Sequence, residues 1–170
     1  MTAETRPYNW SALDDITAAR LQQTYAAVLL AQDPPGCIVR RTTTQSITNT
    51  TFTSISFNSE IADNDSMFAA TSTDITIQHD GYYLAVYGID WATNTTGTRV
   101  INILQNAVAI PAGNKELPAG GTGNHKDTGA VVFTAVTTDV IRMEVWQDSG
   151  GALNVDTARL SVVRLFGPGS

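Results

Sequence analysis

The sequence predicts an all-β fold, an antiparallel sandwich or barrel of the jelly-roll kind, preceded by one short α-helix. Three observations predict it. From Ile38 onward helical periodicity disappears, and short apolar runs recur between Gly, Asn and Pro. Charged residues make up only 15% of the chain, and Thr, Ser, Asn and Gly take their place, as on a β-rich surface. The one stretch with helical spacing lies ahead of Gly36. At 170 residues the chain suits one domain with a sizeable core plus an appendage. The expected division is a helical anchor and hinge over 1–36 and a jelly-roll domain over 37–170.

The segment SALDDITAARLQQTYAAVLLAQDPPG reads as one helix over 12–32. Ser11 is the expected N-cap, Asp14 completes an imperfect capping box, and Asp14 and Asp15 favour the positive end of the helix dipole. Leu13, Leu21, Tyr25 and Val28 form a stripe at the 3.6-residue period, and Asp33-Pro34-Pro35-Gly36 stops the helix. The stripe is too short for a coiled coil, so it is expected to dock on the domain itself, on a second copy or on another protein.

Strands are expected at 38–47, 51–58, 73–78, 81–91, 98–104, 107–111, 129–136, 139–147 and 158–166. RVINILQNAVAIP reads as a hairpin turning near Gln105 and Asn106, and DVIRMEVWQ alternates cleanly, with Arg142 and Glu144 on a wetted face. About nine strands in some 130 residues suit a jelly roll. Two long loops are expected, a glycine-rich one at 111–129 and another at 146–154. HDGYYLAVYGIDW is the anomaly: Tyr83, Ala85, Tyr87, Ile89 and Trp91 share one face, yet Tyr82, Leu84 and Val86 on the other are apolar too. An antiparallel strand normally wets one face, so something must cover the second.

Chemistry-bearing patterns are sparse. Cys37 is the sole cysteine, so no disulfide framework or thiolate metal cluster can form, and its setting after Pro34-Pro35-Gly36 fits a small buried apolar residue. His79 and His125 lie in unrelated segments. Carboxylates present no acid pair suited to glycoside hydrolysis, and no enzyme and no cofactor are expected. Asp63 and Asp65 offer hard oxygens to calcium, but the glycine and terminal glutamate of an EF-hand are missing, and a solvated turn is the expectation. A net charge of −6 and a pI near 4.6 give no footprint for nucleic acid. MTAETRPYNW lacks a secretory-signal layout, and YAAVLLA is too short to span a bilayer, so synthesis in the cytoplasm without membrane insertion is expected.

ITIQHDGYYLAVYGIDW, with Gly81, Tyr82 and Tyr83 opening a long apolar strand, resembles the globular heads of the tumour necrosis factor and complement first-component superfamily. RVINILQNAVAIP, TDVIRMEVWQDSG and ARLSVVRLFG resemble its following hairpin, penultimate strand and closing strand, so the likeness covers about 38–167. The layout of W-x-x-L-D-D-I-T-A-A at Trp10 to Ala19, then PPGC, then TTTQSITNTTFTSISF, is similar to minor tail or fibre proteins of tailed phages of actinobacteria.

The resemblance implies a homotrimer with Leu84, Val86, Gly88, Val163 and Leu165 facing neighbouring subunits, although Arg164 lies on the side assigned to the core. It further implies a virion protein, made in the host cytoplasm and released by lysis. The helix would bind other virion proteins, and the outer loops would meet a host cell-wall glycan. Asn94, Thr95, Trp91 and Trp146 are the residues suited to sugar contact. The alternative is a capsid decoration or head-fibre protein without receptor binding.

Overall fold

A computed structural model describes residues 17–167. The chain divides into two compact units, 1–33 and 34–170. In the first, α1 spans Ala18–Gln32, and the Thr17 hydroxyl accepts the Arg20 N–H at 3.3 Å as N-cap. Ala and long straight side chains favour the helix; the Asp33 N–H closes it on the Leu29 carbonyl at 2.9 Å. Leu21, Tyr25 and Val28 are all exposed. The expected cap Ser11, the acidic pair Asp14 and Asp15, and stripe residue Leu13 lie outside the described residues.

The second unit is two antiparallel sheets packed face to face. Its strands are β1 (Gly36–Arg41), β2 (Gln45–Ile47), β3 (Thr53–Ser54), β4 (Ser59–Asp63), β5 (Asp74–Thr76), β6 (Gly81–Trp91), β7 (Thr98–Gln105), β8 (Val108–Pro118), β9 (His125–Ala135), β10 (Val140–Gln147) and β11 (Leu153–Phe166). One sheet runs β4-β1-β11-β6-β9, with β2 also on β11; the other runs β3-β10-β7-β8, with β5 also on β10. The inward rows, among them Cys37, Val39, Tyr83, Ala85, Trp91, Ile101, Ile103, Met143, Leu160 and Val162, form one core. This is the jelly-roll sandwich that the alternation predicts.

Several boundaries differ from expectation, for reasons outside the local pattern. The run 38–47 is two strands, because the Arg41 guanidinium donates to the carbonyls of Thr43, Thr44 and Ser56 and bends the chain between them. β4 was not expected; it pairs with β1 through a bulge at Ile38 and Val39. The glycine-rich loop is much shorter than 111–129, since β8 continues to Pro118 on β7 and β9 begins at His125 on β6. An ion pair from Lys115 to buried Asp127, with Lys115 also reaching the Thr128 carbonyl at 3.0 Å, accompanies that extension. The loop expected at 146–154 contracts likewise, between Gln147 and Leu153.

Pro34, Pro35 and Gly36 are held by the sandwich. Pro35 is buried and its carbonyl accepts the Arg164 N–H at 2.8 Å, while the Pro34 carbonyl and Gly36 N–H are bound by the Asn64 amide. Arg164 fits the core-facing row because it sits at the sheet end, where its guanidinium donates twice to the Asp80 carbonyl, at 2.8 and 3.1 Å. Arg142 is not simply wetted: half-buried, it binds Asp74 bidentately at 2.5 and 2.8 Å.

The β7–β8 hairpin turns one residue later than expected, at Asn106 and Ala107, both left-handed at φ 51° and 66°. Two such residues make the turn whose twist matches the flanking strands, with glycine preferred second. Asn106 suits it and is pinned by hydrogen bonds to Asp139 and Val140; Ala107 carries steric strain. Ala107→Gly should therefore raise stability by about 0.5–1 kcal/mol in equilibrium urea unfolding.

The Arg142 guanidinium holds the Asp74 carboxyl below its ordinary value. A carboxylate depressed in the folded chain contributes stability above its unfolded pKa, near about 4, and loses it as pH falls through the lower folded value. The wild type should accordingly be more stable than Asp74→Asn at neutral pH, with the gap closing as pH falls below about 4. A pH-independent gap in chemical denaturation would contradict this.

Candidate functional site

Two features of the sandwich stand apart from its core: the outer face of the β6 sheet and the loops at one end. The outer face can be read row by row from the register. Beginning nearest the start of β6, Phe166, Tyr82 and Thr134 lie abreast, then Val163, Leu84 and Val132, then Ile38, Ser161, Val86 and Ala130. Phe166 stacks on Tyr82 with ring centroids 4.6 Å apart. Val86 is 42% exposed and Val132 57%. Beyond these rows the face turns polar, with Arg40, Arg159, Gly88 and Thr128 abreast and Asp90 beside Lys126.

The expected interface residues Leu84, Val86, Gly88 and Val163 thus stand on one outer surface, and Leu165 is exposed near its edge. Strand β9 supplies members that the sequence reading missed. GAVVFTAV carries the same signal as β6: Val131, Phe133 and Ala135 point inward, while Ala130, Val132 and Val136 are exposed.

The loops 48–52, 92–97, 119–124 and 148–152 gather at the Trp91 end. The Thr50 N–H donates to the Gln147 carbonyl at 2.7 Å and the Gly150 N–H to Asn49 Oδ1 at 2.9 Å. The Ala119 N–H reaches the Gly97 carbonyl at 2.7 Å, and Thr93 and Asp156 both bind the Asn124 amide. Gly97 is required: its φ is +77°, and a Cβ there would lie 2.3 Å from an Asp148 carboxylate oxygen. The chain enters β1 at Gly36, which pairs with Val163 beside Leu84, so the entry point and this loop cluster lie at opposite ends.

Arg99 anchors the cluster from below. It stands on the inward row with Ile101 and Ile103, almost fully buried, and its guanidinium lies over the Trp91 ring at 5.8 Å. It donates to the Thr96 carbonyl at 3.0 Å and to Asn94 Oδ1 at 3.3 Å. Burial pushes its pKa down from the ordinary arginine value. Alternation in TRVINIL was the available signal for an inward arginine.

The sugar-contact candidates separate accordingly. Trp91 is fully buried and is a core residue, not a stacking platform. Asn94 Oδ1 is engaged by the Thr96 N–H and Arg99. Thr95 is exposed. Trp146 is half-buried on the outer face of the other sheet, tilted against exposed Phe52 with centroids 6.3 Å apart.

The Asp63 carboxylate accepts the N–H groups of Asp65, Met67 and Phe68 at 3.1, 3.0 and 2.8 Å, which orders the turn after β4. Asp65 pairs with His79 at 3.4 Å. Among the described residues no group of three His, Cys, Asp or Glu side chains could hold a metal ion. Cys37 is fully buried; burial first, then Asp63 and Glu60, push its thiol up to about 12. That is the reverse of an activated nucleophile.

No protein-family model matches the chain, and no curated protein sequence matches it. Solved structures do. The globular domain of zebrafish complement 1qA superposes with a TM-score of 0.60 at 15% identity, covering 79% of this chain and 99% of that one. The PRD1 vertex protein P5 gives 0.57 at 15% identity, covering 76% and 72%. The Eiger tumour necrosis factor from S. frugiperda gives 0.55 at 10% identity, covering 80% and 96%. These likenesses establish the fold: the chain carries a jelly roll of the tumour necrosis factor and complement 1q kind.

Proposed function

We propose that this is a virion structural protein, a homotrimer assembled through the outer face of the β6 sheet, that displays its loop cluster outward for host-surface attachment. The observation that carries the reading is the two-sided apolar character of β6, repeated in β9. Fully covering one Leu or Val side chain contributes about 1.5–3 kcal/mol, against an association cost of about 4–15 kcal/mol. Several exposed apolar side chains per copy, Val86, Val132 and Phe166 among them, offset that cost where one would not. The trimer is what the superfamily resemblance implies, and the likeness to the PRD1 vertex protein supports a virion setting.

Attachment of the particle end falls to the N-terminal helix, whose Leu21, Tyr25 and Val28 are exposed, together with Leu13 from outside the described residues. The sandwich itself has a polarity that suits this division. Its chain entry is at one end and its tied loops at the other, roughly 23 Å apart along β6 from Leu84 to Trp91. A cell-wall glycan is the proposed contact of those loops, with Thr95 the exposed member of the sugar candidates in loop 92–97 and Trp146 on the neighbouring sheet face. Resemblance to a vertex protein favours a second reading, in which the same trimer decorates or extends from the capsid without binding a receptor.

Val86→Asp should break the trimer, because it sets a charge in the covered apolar rows. Val108→Asp should leave it intact, since Val108 is 70% exposed at the β7–β8 hairpin on the other sheet. Equal sedimentation of the two variants would show the wrong face has been assigned. A chain beginning at Pro34, keeping the proline contacts, should fold and trimerise yet fail to load onto particles lacking the native copy. Loading at the normal level would refute the anchor role. Immunogold labelling of the full chain at the tail tip supports attachment, whereas labelling over the head supports decoration.

A further inference from the structure

We propose that the polar end of the β6 sheet's outer face is a binding site for a phosphate group. The site is a cleft of about 460 Å³ whose lining includes Arg40, Arg159, Lys126, Asp90 and Gly88. That volume lies within the range of small-molecule sites and leaves room for the sugar or polyol to which a phosphate is esterified. What matters is which cations in the cleft have their donors engaged by the chain and which keep them free.

Lys126 pairs with Asp90 at 3.5 Å. Asp127, which also lines the cleft, is buried and paired with Lys115. Arg41 lines it too, but its guanidinium is committed to the Thr43, Thr44 and Ser56 carbonyls. Two cations remain. Arg40 spends only its Nε, on the Ser59 hydroxyl at 3.2 Å, and the Arg159 guanidinium has no hydrogen bond or ion pair among the described residues.

These two are direct partners in the β1–β11 register. Side chains so placed have Cβ atoms about 5 Å apart, and like charges directly opposite destabilise a sheet. Both are exposed on the outward row. Two opposed arginines with free donors, set in a cleft, are a conflict that an anion would relieve. Next in the row stands Gly88, opposite Arg159, so no side chain there fills the floor.

Guanidinium groups bind tetrahedral oxyanions through paired N–H donors, and a phosphate offers enough oxygens to accept from two of them side by side, which a carboxylate does not. Asp90 limits the site, since its charge is cancelled only by Lys126 and one of its oxygens is buried without a partner. A phosphate seated on the two arginines, away from Asp90, satisfies both. Such a site reads a phosphate whether free or esterified on a glycan or polyol. Gly88 is shared with the expected trimer contacts, so the site requires that the apolar rows pair in the trimer while the arginine row stays open.

Isothermal titration of the full chain with inorganic phosphate and with glucose 6-phosphate, at low ionic strength, tests the proposal. Saturable binding of at least one probe, one per chain, is expected. It should weaken tenfold or more in Arg159→Ala and in Arg40→Ala, and stay unchanged in the helix variant Arg20→Ala. Tighter binding of glucose 6-phosphate identifies an organic ester as the ligand; equal binding identifies the phosphate itself. Both arginines are exposed, and unchanged circular dichroism would show that the variants fold. No saturable binding of either probe by the wild type, or undiminished binding by Arg159→Ala, overturns the proposal. If instead Arg159→Ala lowers the sedimenting mass and neither probe binds, the arginines meet a carboxylate of another copy and the site is not a phosphate site.

Discussion

The rest of the structure is organised around a strand that cannot be satisfied by its own sandwich. β6 lies between β11 and β9, hydrogen-bonded along its whole length, and sends Tyr83, Ala85, Tyr87, Ile89 and Trp91 into the core. Its other face carries Tyr82, Leu84 and Val86 to the surface. A jelly roll buries one face of each sheet by packing two sheets together, so the second apolar face is a demand for something beyond the single chain. The neighbouring β9 repeats the demand, and their rows merge into one patch. Contiguous apolar surface of this kind marks interaction sites in soluble proteins.

The same sheet changes character along its length. The first three rows are mostly apolar, broken by Thr134 and Ser161, the next holds the opposed arginines, and the last pairs Asp90 with Lys126. At the Trp91 end, Arg99 takes over the organising role from inside the core, holding the 92–97 loop by its carbonyls while its charge rests on an indole ring. The loop cluster lies opposite the chain entry. Its loops are pinned to one another through Asn49, Gly97, Asn124 and Asp148 instead of relying on side-chain packing.

Much of this was legible in the sequence, because alternation is a local signal. The two faces of β6, the β7–β8 hairpin and the inward rows of β10 and β11 all follow from period-two spacing. What was not legible depends on partners distant in the chain. β4 has no strong apolar pattern of its own and forms because Cys37 to Arg40 offer it an edge. KELP and HKDTG read as loop, since charges and glycines break the pattern; they become strand where Lys115 meets Asp127. Trp91 follows the inward row of Tyr83 to Ile89, and its suitability for sugar contact fails because that row, with Arg99 over the ring, buries it. The arginine pair was invisible for the same reason, as Arg40 and Arg159 are separated by most of the domain and meet only through the β1–β11 register.

The central claim is that the apolar face is covered by other copies of the same chain. Sedimentation equilibrium of the full-length protein at micromolar concentration tests it most directly. The account predicts a mass of three times 18.2 kDa, unchanged on moderate dilution. A single species of 18.2 kDa would contradict it, and would leave the outer rows of β6 and β9 to a different partner.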